Sequence, residues 1–522
     1  MKLFFSNSNN SLERIFFQFM IFFYLTTGLF AFNISETQSG KGSKVVPNSE
    51  WPIIVRHGDQ LFEGEKIFRF LSLAAPNIQQ NETQIRIDRT NRFPDEYEVR
   101  DILSGIQRLG GRATRSFTLS IFHPDDKNMP VYVTSRRTYN EDAFKCLDLI
   151  IALCHEYDIR LILPFIASQS FIGIRGVDEF AALANKPSGS FWTDEEVKAD
   201  FRHLLDFILN RKNTVNGILY KDDPAILAWQ LGNEFGSFAG DRKLSYDIWN
   251  PIINKWSLEF AAYIKKVDPK HLVMEAGGGF RKDFIADPNI DIISDHLYEY
   301  WSKLGGGDWK LAPMAKHSIE ECKGKKPLMV DEFGLGGMEN IHELMQTIID
   351  EDIVGGLIWS IRSHRRDGGW YYHNEGGTPI NSYHVPGSSA GFIYDETRTL
   401  DMLRKMAFKI RGIEENPIER PSPAPVLMKF KDGFTWRGST GAAFYTIEKA
   451  KSATGPWIIV STGLNDSVIQ DVKSFEFSPE ASDPLVLYVD ENTNEGNKYF
   501  YRIKGVNVSG DSEYSNILEV QK

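Results

Sequence analysis

The sequence predicts a (β/α)8 barrel followed by an all-β sandwich, and three observations carry that prediction. Eight apolar strand-like runs alternate with helix-period segments between Trp51 and Ile410, the pattern of parallel βαβ units. A proline-rich stretch at 414–425 ends the alternation. Beyond it only short strand-like runs between turn residues remain, as a sandwich of about 100 residues requires.

Composition narrows the class. The chain has 522 residues, 42% hydrophobic and 25% charged, which excludes disorder, collagen or coiled coil as the whole answer. Its 59 Lys and Arg against 70 Asp and Glu give a net charge of −11, which argues against a nucleic-acid partner, because phosphate backbones need basic clusters. Aromatics reach 13% with 11 Trp, a supply suited to stacking on the apolar faces of sugar rings. Cys146 and Cys154 lie in one helical pattern about 12 Å apart, too far for a disulfide, so three buried free thiols are expected.

At the amino terminus, Ile15 to Phe32 are apolar except for Gln18 and two threonines. Lys2 and Arg14 precede them, and no Lys or Arg follows until Lys41. Residues 1–32 therefore read as a signal peptide, with secretion expected, or alternatively as a type II membrane anchor that leaves the remaining chain outside. Asn-x-Ser/Thr sequons stand at Asn9, Asn33, Asn81, Asn465 and Asn507.

The barrel domain is expected over 33–413. Ile53–Arg56 and Gln60–Phe62 flank a His-Gly-Asp turn and read as a hairpin. Strands are expected at Phe68–Ala75, Ala113–Leu119, Arg160–Ile166, Ile226–Leu231, His271–Glu275, Ile290–His296, Leu328–Glu332 and Val354–Ile361. Helices are expected at Glu96–Leu109, Asn140–Tyr157, Thr193–Arg211, Ile248–Val267, Trp309–Cys322 and Glu339–Asp350, with Leu403–Ile410 closing the series. The fifth connection is too short for a helix. An open doubly wound sheet is disfavoured because no Gly-x-Gly-x-x-Gly follows the first strand.

Residues 414–425 hold four prolines, a stiff linker too short for a long tether, so the sandwich over 426–522 should pack on the barrel. Its strands are expected at Phe434–Arg437, Ala443–Lys449, Trp457–Ser461, Leu485–Val489, Lys498–Val506 and Ser515–Val520, with Trp436 and Trp457 in the core. The run from Tyr499 to Gly510, followed by Glu513-Tyr-Ser-Asn, resembles the last two strands of a fibronectin type III domain.

Chemistry in a barrel sits at the carboxyl ends of its strands. The fourth strand ends Gln230-Leu-Gly-Asn233-Glu234, the sixth ends Ser294-Asp-His296-Leu-Tyr298, and the seventh ends Asp331-Glu332-Phe-Gly. The second carries Arg115 and the eighth Trp359. Two glutamates from separate strands on one face are the minimum apparatus of a glycosidase, one protonating the leaving oxygen and the other attacking the anomeric carbon.

These motifs, with Phe191-Trp-Thr-Asp-Glu-Glu-Val-Lys, Asn213-Thr-Val-Asn-Gly and Tyr220-Lys-Asp-Asp-Pro, resemble glycoside hydrolase family five, specifically its endo-β-1,4-mannanases, over about residues 51–410. Glu65-Lys-Ile-Phe-Arg-Phe, ending at Asn77, matches more weakly. The resemblance implies Glu234 as acid/base and Glu332 as nucleophile. It implies Asn233 on the sugar 2-OH, Arg115 keeping Glu332 ionised and Tyr298 orienting Glu332. His296 would adjust the proton affinity of Glu234, and Trp359 would form the floor of the −1 site. No cofactor and no metal is implied, and a monomer acting on a polysaccharide or oligosaccharide is expected.

Two departures bear on substrate. Ser168-Gln-Ser-Phe-Ile-Gly-Ile-Arg-Gly replaces an Asn-Asn-Trp element after the third strand, and Phe235-Gly236 replaces Pro-Arg after Asn-Glu. After the eighth strand, Ser363 to His384 is rich in His, Arg and aromatics, which reads either as a cap over one end of the cleft or as a solvated loop. Only His364 and His373 there could meet as metal ligands. Alternatives are action on cellulose or mixed β-glucan, exo cleavage, or a non-catalytic glycan-binding surface protein.

Overall fold

The computed structural model describes residues 50–80, 92–126, 129–171, 173–236, 246–299, 310–371, 383–387, 395–466 and 486–521. The run at 15–32, the sequons at Asn9, Asn33 and Asn81, and His373 lie outside them. Among the described residues no helix is long and apolar enough to cross a membrane.

The chain enters through an antiparallel meander of β1 (Ile54–His57), β2 (Gln60–Glu63) and β3 (Lys66–Ile67). There follow β4 (Phe70–Ala74), α1 (Glu96–Arg108), β5 (Ala113–Arg115), the hairpin β6 (Val133–Ser135) and β7 (Thr138–Tyr139), α2 (Glu141–Tyr157) and β8 (Arg160–Pro164). Next come α3 (Val177–Ala182), α4 (Ser190–Thr193), α5 (Glu195–Leu209), β9 (Ile226–Gln230), α6 (Tyr246–Val267) and β10 (Leu272–Met274). β11 (Ile293–Tyr298), α7 (Leu311–Cys322), β12 (Leu328–Gly334), α8 (Met338–Asp350), β13 (Gly355–Trp359) and α9 (Glu396–Ile410) complete the alternation. All eight expected strands are present, and the link between β10 and β11 holds only a short 3-10 turn at Lys282–Phe284. The β6–β7 hairpin, α3 and α4 were not expected; each is too short to show a period.

Polar side chains set the helix starts. Asp95 accepts from Glu98 N–H while Glu98 accepts from Asp95 N–H, a capping box for α1. Asn140 and Asp194 cap α2 and α5, each contact contributing about 1 kcal/mol.

The eight strands form two parallel sheets, ordered β10-β9-β8-β5 and β11-β12-β13-β4. A parallel bridge between Met274 and Ile292 crosses one seam, and Ala75 N–H donates to Arg115 O at 2.8 Å across the other. Side chains alternate between two cores, as the strand period of two requires. Phe70 and Ala74 join a cluster with Ile162, Leu227, Met274 and Met329, while Leu71 and Leu73 join the larger cluster shared with the helices. Ile54, Leu61 and Phe68 also enter the first cluster, so the meander packs under the amino ends of the strands.

In the carboxy-terminal part, β14 (Val426–Phe430) pairs with β15 (Gly433–Arg437). β16 (Phe444–Ala450) lies between β17 (Ile458–Leu464) and β18 (Lys498–Asn507), and β18 also pairs with β19 (Gly510–Asp511) and β20 (Leu518–Gln521). Trp436 is fully buried with Tyr445, Ile447, Tyr501 and Ile503. Trp457 is not in the core. It is half-buried on the outer face, 4.4 Å from the Arg502 guanidinium, because it sits just ahead of β17, whose Ile458 and Ile459 also face outward. The expected strand at 485–489 reduces, among the described residues, to one bridge between Tyr488 and Phe434.

The linker is pinned at both sides. Arg108 donates to Glu419 O, Arg420 O and Ser422 Oγ, and Ser509 Oγ donates to Ile418 O. The described residues from 50 to 521 accordingly belong to one compact unit. The Asn507 amide is engaged by Glu419 O and Gly441 O, so that sequon holds the junction together, whereas Asn465 is exposed.

Candidate active site

The carboxyl end of β9 is where the chain commits its acid group. After Gln230 the backbone bonds alternately to both neighbours: Leu231 N–H to Met274 O, Asn233 N–H to Ile166 O at 2.8 Å, and Glu234 N–H to Ala276 O at 2.6 Å. Gly232 has no room for a side chain, since a Cβ would meet Ile166 O and the Phe235 ring. Glu234 itself is left-handed at φ 52°, a conformation costly for a glutamate and typical of functional positions.

Arg115, from β5, is fully buried and organises the centre. It donates from Nη1 to Glu332 Oε2 at 3.1 Å, from Nη2 to Asn233 Oδ1 at 2.6 Å and from Nε to Gln230 Oε1 at 2.7 Å; its Nε also lies 3.3 Å from Asp331 Oδ2. Neighbouring residues of a strand point to opposite faces, yet both Asp331 and Glu332 reach Arg115. The ladders on both sides of β12 break register there, between Ser294 and His296 and between Val330 and Phe333, and the bulge turns both carboxylates inward.

Tyr298 OH donates to Glu332 Oε1 at 2.5 Å. His296 Nδ1 lies 2.9 Å from Glu234 Oε1 and 3.7 Å from Glu332 Oε2, and its Nε2 lies 3.4 Å from Asp331 Oδ2. One oxygen of each glutamate and a ring nitrogen of His296 lie within 4.8 Å of one another. Trp359 ends β13, buried, with its ring edge-on to Phe117 at 5.9 Å. The structure thus brings Arg115, Asn233, Glu234, His296, Tyr298 and Glu332 into one contact network and sets Trp359 at the end of the strand beside β12.

Burial is the largest influence on Glu332 and pushes it up to about 7, the Glu234 carboxylate adds to this, and His296, Arg115 and Tyr298 oppose it. Arg115 therefore restrains the proton affinity of Glu332 rather than abolishing it. Burial would lower His296, but Glu332, Asp331 and Glu234 outweigh it and raise it well above the ordinary imidazole range.

Several members of the network were not identified as site residues from the sequence. Gln169 donates to Glu234 Oε2 and accepts from Asn233 Nδ2 at 3.1 Å. Asp331 accepts from Ser294 Oγ and from Gln230 Nε2 at 2.8 Å. The one signal for Asp331 was a second carboxylate at the end of a long apolar run, which is expensive unless partnered.

Over its described part the loop after β13 is buried rather than solvated. His364 is buried between Asp101 and Asp466, Trp370 stacks on it, and Arg366 pairs with Glu98. His384 instead faces Glu396 Oε1 at 2.7 Å.

The family model described as GH family 5 beta-mannosidase-like matches residues 123–352, less than half of the chain. A mannan endo-1,4-beta-mannosidase 1 of Arabidopsis thaliana is 27% identical over 274 residues, covering 44% of this chain and 64% of the relative, so the chain spans under two thirds of that relative's length. Among solved structures, an endo-1,4-beta-mannanase from Rhizomucor miehei superposes with a TM-score of 0.52 at 22% identity, covering 69% of this chain and 99% of that one. An endo-beta-1,4-mannanase from Thermotoga petrophila superposes with a TM-score of 0.54 at 16% identity, covering 88% of this chain and 99% of that one. The 88% share of this chain is more than residues 50–413 alone could supply, so the likeness of fold extends into the carboxy-terminal strands.

Proposed function

We propose that the chain is a retaining glycoside hydrolase that cleaves β-1,4-mannosidic bonds in mannan, glucomannan or manno-oligosaccharides. The observation that carries this reading is the pair of glutamates from β9 and β12, with oxygens within 4.8 Å of each other. Double displacement needs carboxyl groups about 5–5.5 Å apart, whereas inversion needs about 6.5–9.5 Å to seat a water. The matched mannanases supply the substrate class.

In the first half-reaction Glu332 attacks the anomeric carbon while Glu234 gives its proton to the departing oxygen. In the second, Glu234 takes a proton from water, and the hydroxide so formed displaces Glu332. Glu332 serves as the anion because both of its oxygens take strong donors, the Arg115 guanidinium and the Tyr298 hydroxyl. The proposed reaction requires Glu234 to enter it protonated and Glu332 ionised. Asn233, held by Arg115, meets the sugar 2-OH, and Trp359 forms the floor under the ring at the cleaved bond.

We further read the eight strands as a closed (β/α)8 barrel, supported by the bonds across both seams, and the last strands as a fibronectin type III-like sandwich. The Ile15–Phe32 run supports placement outside the cytosol, secreted or anchored. A monomer is expected. Incubation with mannohexaose beside cellohexaose, with product anomers followed by NMR, tests the reading. Release of β-anomeric manno-oligosaccharides is expected; initial α-anomers, or cleavage of cellohexaose alone, would overturn it.

A further inference from the structure

A short chain of hydrogen bonds leads from Arg115 to Glu234, and its direction is fixed at its head. Arg115 can only donate, so the Asn233 group that it meets must be the amide oxygen. The Asn233 nitrogen is then the atom facing Gln169, so Gln169 accepts there through Oε1. The remaining group of Gln169, its NH2, is thereby the one that faces Glu234 Oε2. No amide in the chain can flip without setting donor against donor.

We propose that Gln169 is a positioning residue that, by donating to Glu234 Oε2, favours the anion left once the proton of Glu234 is transferred. The inference rests on Glu234 being the acid/base of the proposed reaction. The Gln169 NH2 donates to Oε2 while His296 Nδ1 lies beside Oε1 at 2.9 Å, so each oxygen of the Glu234 anion has its own partner. The donor acts on the charged form, and the Arg115 charge at the head of the chain polarises each bond after it.

The support of Gln169 is as specific as its contacts. It is buried, and the backbone on either side is fastened to the β9 end and to α3. Ala167 bridges both Asn233 and Gly176, Ser168 N–H donates to Asn233 O at 3.0 Å, and Ser168 Oγ donates to Glu234 O at 2.8 Å. Gly176 packs so closely that a Cβ would meet the carbonyl oxygens of Ala167 and Gln169. This segment is one of the two in which the sequence departs from the resembled mannanases.

The ionisable groups around Glu234 are His296 from β11, Asp331 and Glu332 from β12, Arg115 from β5, and Glu275 with Arg281 behind the β10 end. Gln169 is the neutral member among these charges, so its removal changes a hydrogen bond and no net charge. Gln169→Glu keeps the acceptor for Asn233 and replaces only the donor; Gln169→Met removes both.

The test is the pH profile of kcat/KM on mannohexaose for the wild type and both variants, with fold checked by circular dichroism. The alkaline limb, which reports the acid form of Glu234, should rise by about one pH unit in Gln169→Met and further in Gln169→Glu. On an aryl β-mannoside with a good leaving group, which needs no protonation, kcat/KM should stay within about twofold. A uniform fall on both substrates with the limbs in place would show mere packing and overturn the proposal. Glu234→Gln, run alongside, separates the two failures. If it keeps wild-type turnover the acid/base reading itself fails; if it is inactive while the Gln169 limbs stay put, only this inference fails.

Discussion

His364 lies 2.8 Å from Asp466, its Nε2 against Oδ2, and so joins the loop after β13 to the carboxy-terminal module. Its Nδ1 faces Asp101 Oδ2 of α1 at 3.0 Å. Trp436 donates to Asp466, and Thr440 donates to Asp101, so both carboxylates are further satisfied from the module. The whole group is buried, a charged joint at the seam of the molecule rather than a wet interface.

That joint should titrate. Burial would lower His364, but Asp101 and Asp466 outweigh it and raise it to about 9. A raised basic group contributes its full stability below its unfolded value of about 6.5 and loses it as pH rises through the folded value, here about 9. Melting temperature should therefore fall between about pH 7 and 10. In His364→Gln stability should start lower, by an amount on the order of 3 kcal/mol at pH 6, and the melting temperature should vary less over that range. Calorimetry across pH checks this; a variant that follows the wild-type curve would refute it.

Removal of residues 423–522 should lower stability or solubility more than it lowers the rate on soluble oligosaccharides. The deletion uncovers His364 and Asp101 and takes from Tyr97 on α1 its acceptor, Gly438 O. The active-site bonds themselves all run between elements ahead of residue 360. A truncated chain with an unchanged melting temperature that loses affinity for insoluble mannan would make the module a binding unit instead.

Glu332→Gln should lower kcat by about 10³-fold or more while leaving the fold intact. The amide keeps the shape of the carboxyl group and relieves a carboxylate that burial already disfavours. Turnover near the wild-type rate would remove Glu332 from the reaction.

Gly176→Ala should cost about 1–3 kcal/mol and reduce turnover together. The added methyl meets two backbone oxygens and must displace the segment that carries Ser168 and Gln169. A variant as stable and as active as the wild type would show that this segment yields freely.

The thiols should be inert in the folded protein. Cys146, Cys154 and Cys322 are buried and free, and burial pushes Cys146 and Cys322 up to about 12 and Cys154 higher still. A thiol reagent at pH 8 should label none until denaturant is added, when all three react.

The sequence by itself determined the order of strands and helices, because each is a local period in hydrophobicity. It also placed Glu234, Glu332, Arg115, Asn233, His296, Tyr298 and Trp359 on or just past the carboxyl ends of strands, because each ends or lines one continuous apolar run. Tertiary structure decided the rest. Gln169 reaches Glu234 across 65 positions and His364 reaches Asp101 across 263, and no local period encodes which distant segments become neighbours. Asp331 turns inward only because β12 breaks register with two strands at once, a property of the assembled sheet. Trp457 has the same hydrophobicity as Trp436. It faces outward because it precedes β17 and lies outside the paired strands whose inner sides make the core, so its place in the assembled sheet decides and not the residue.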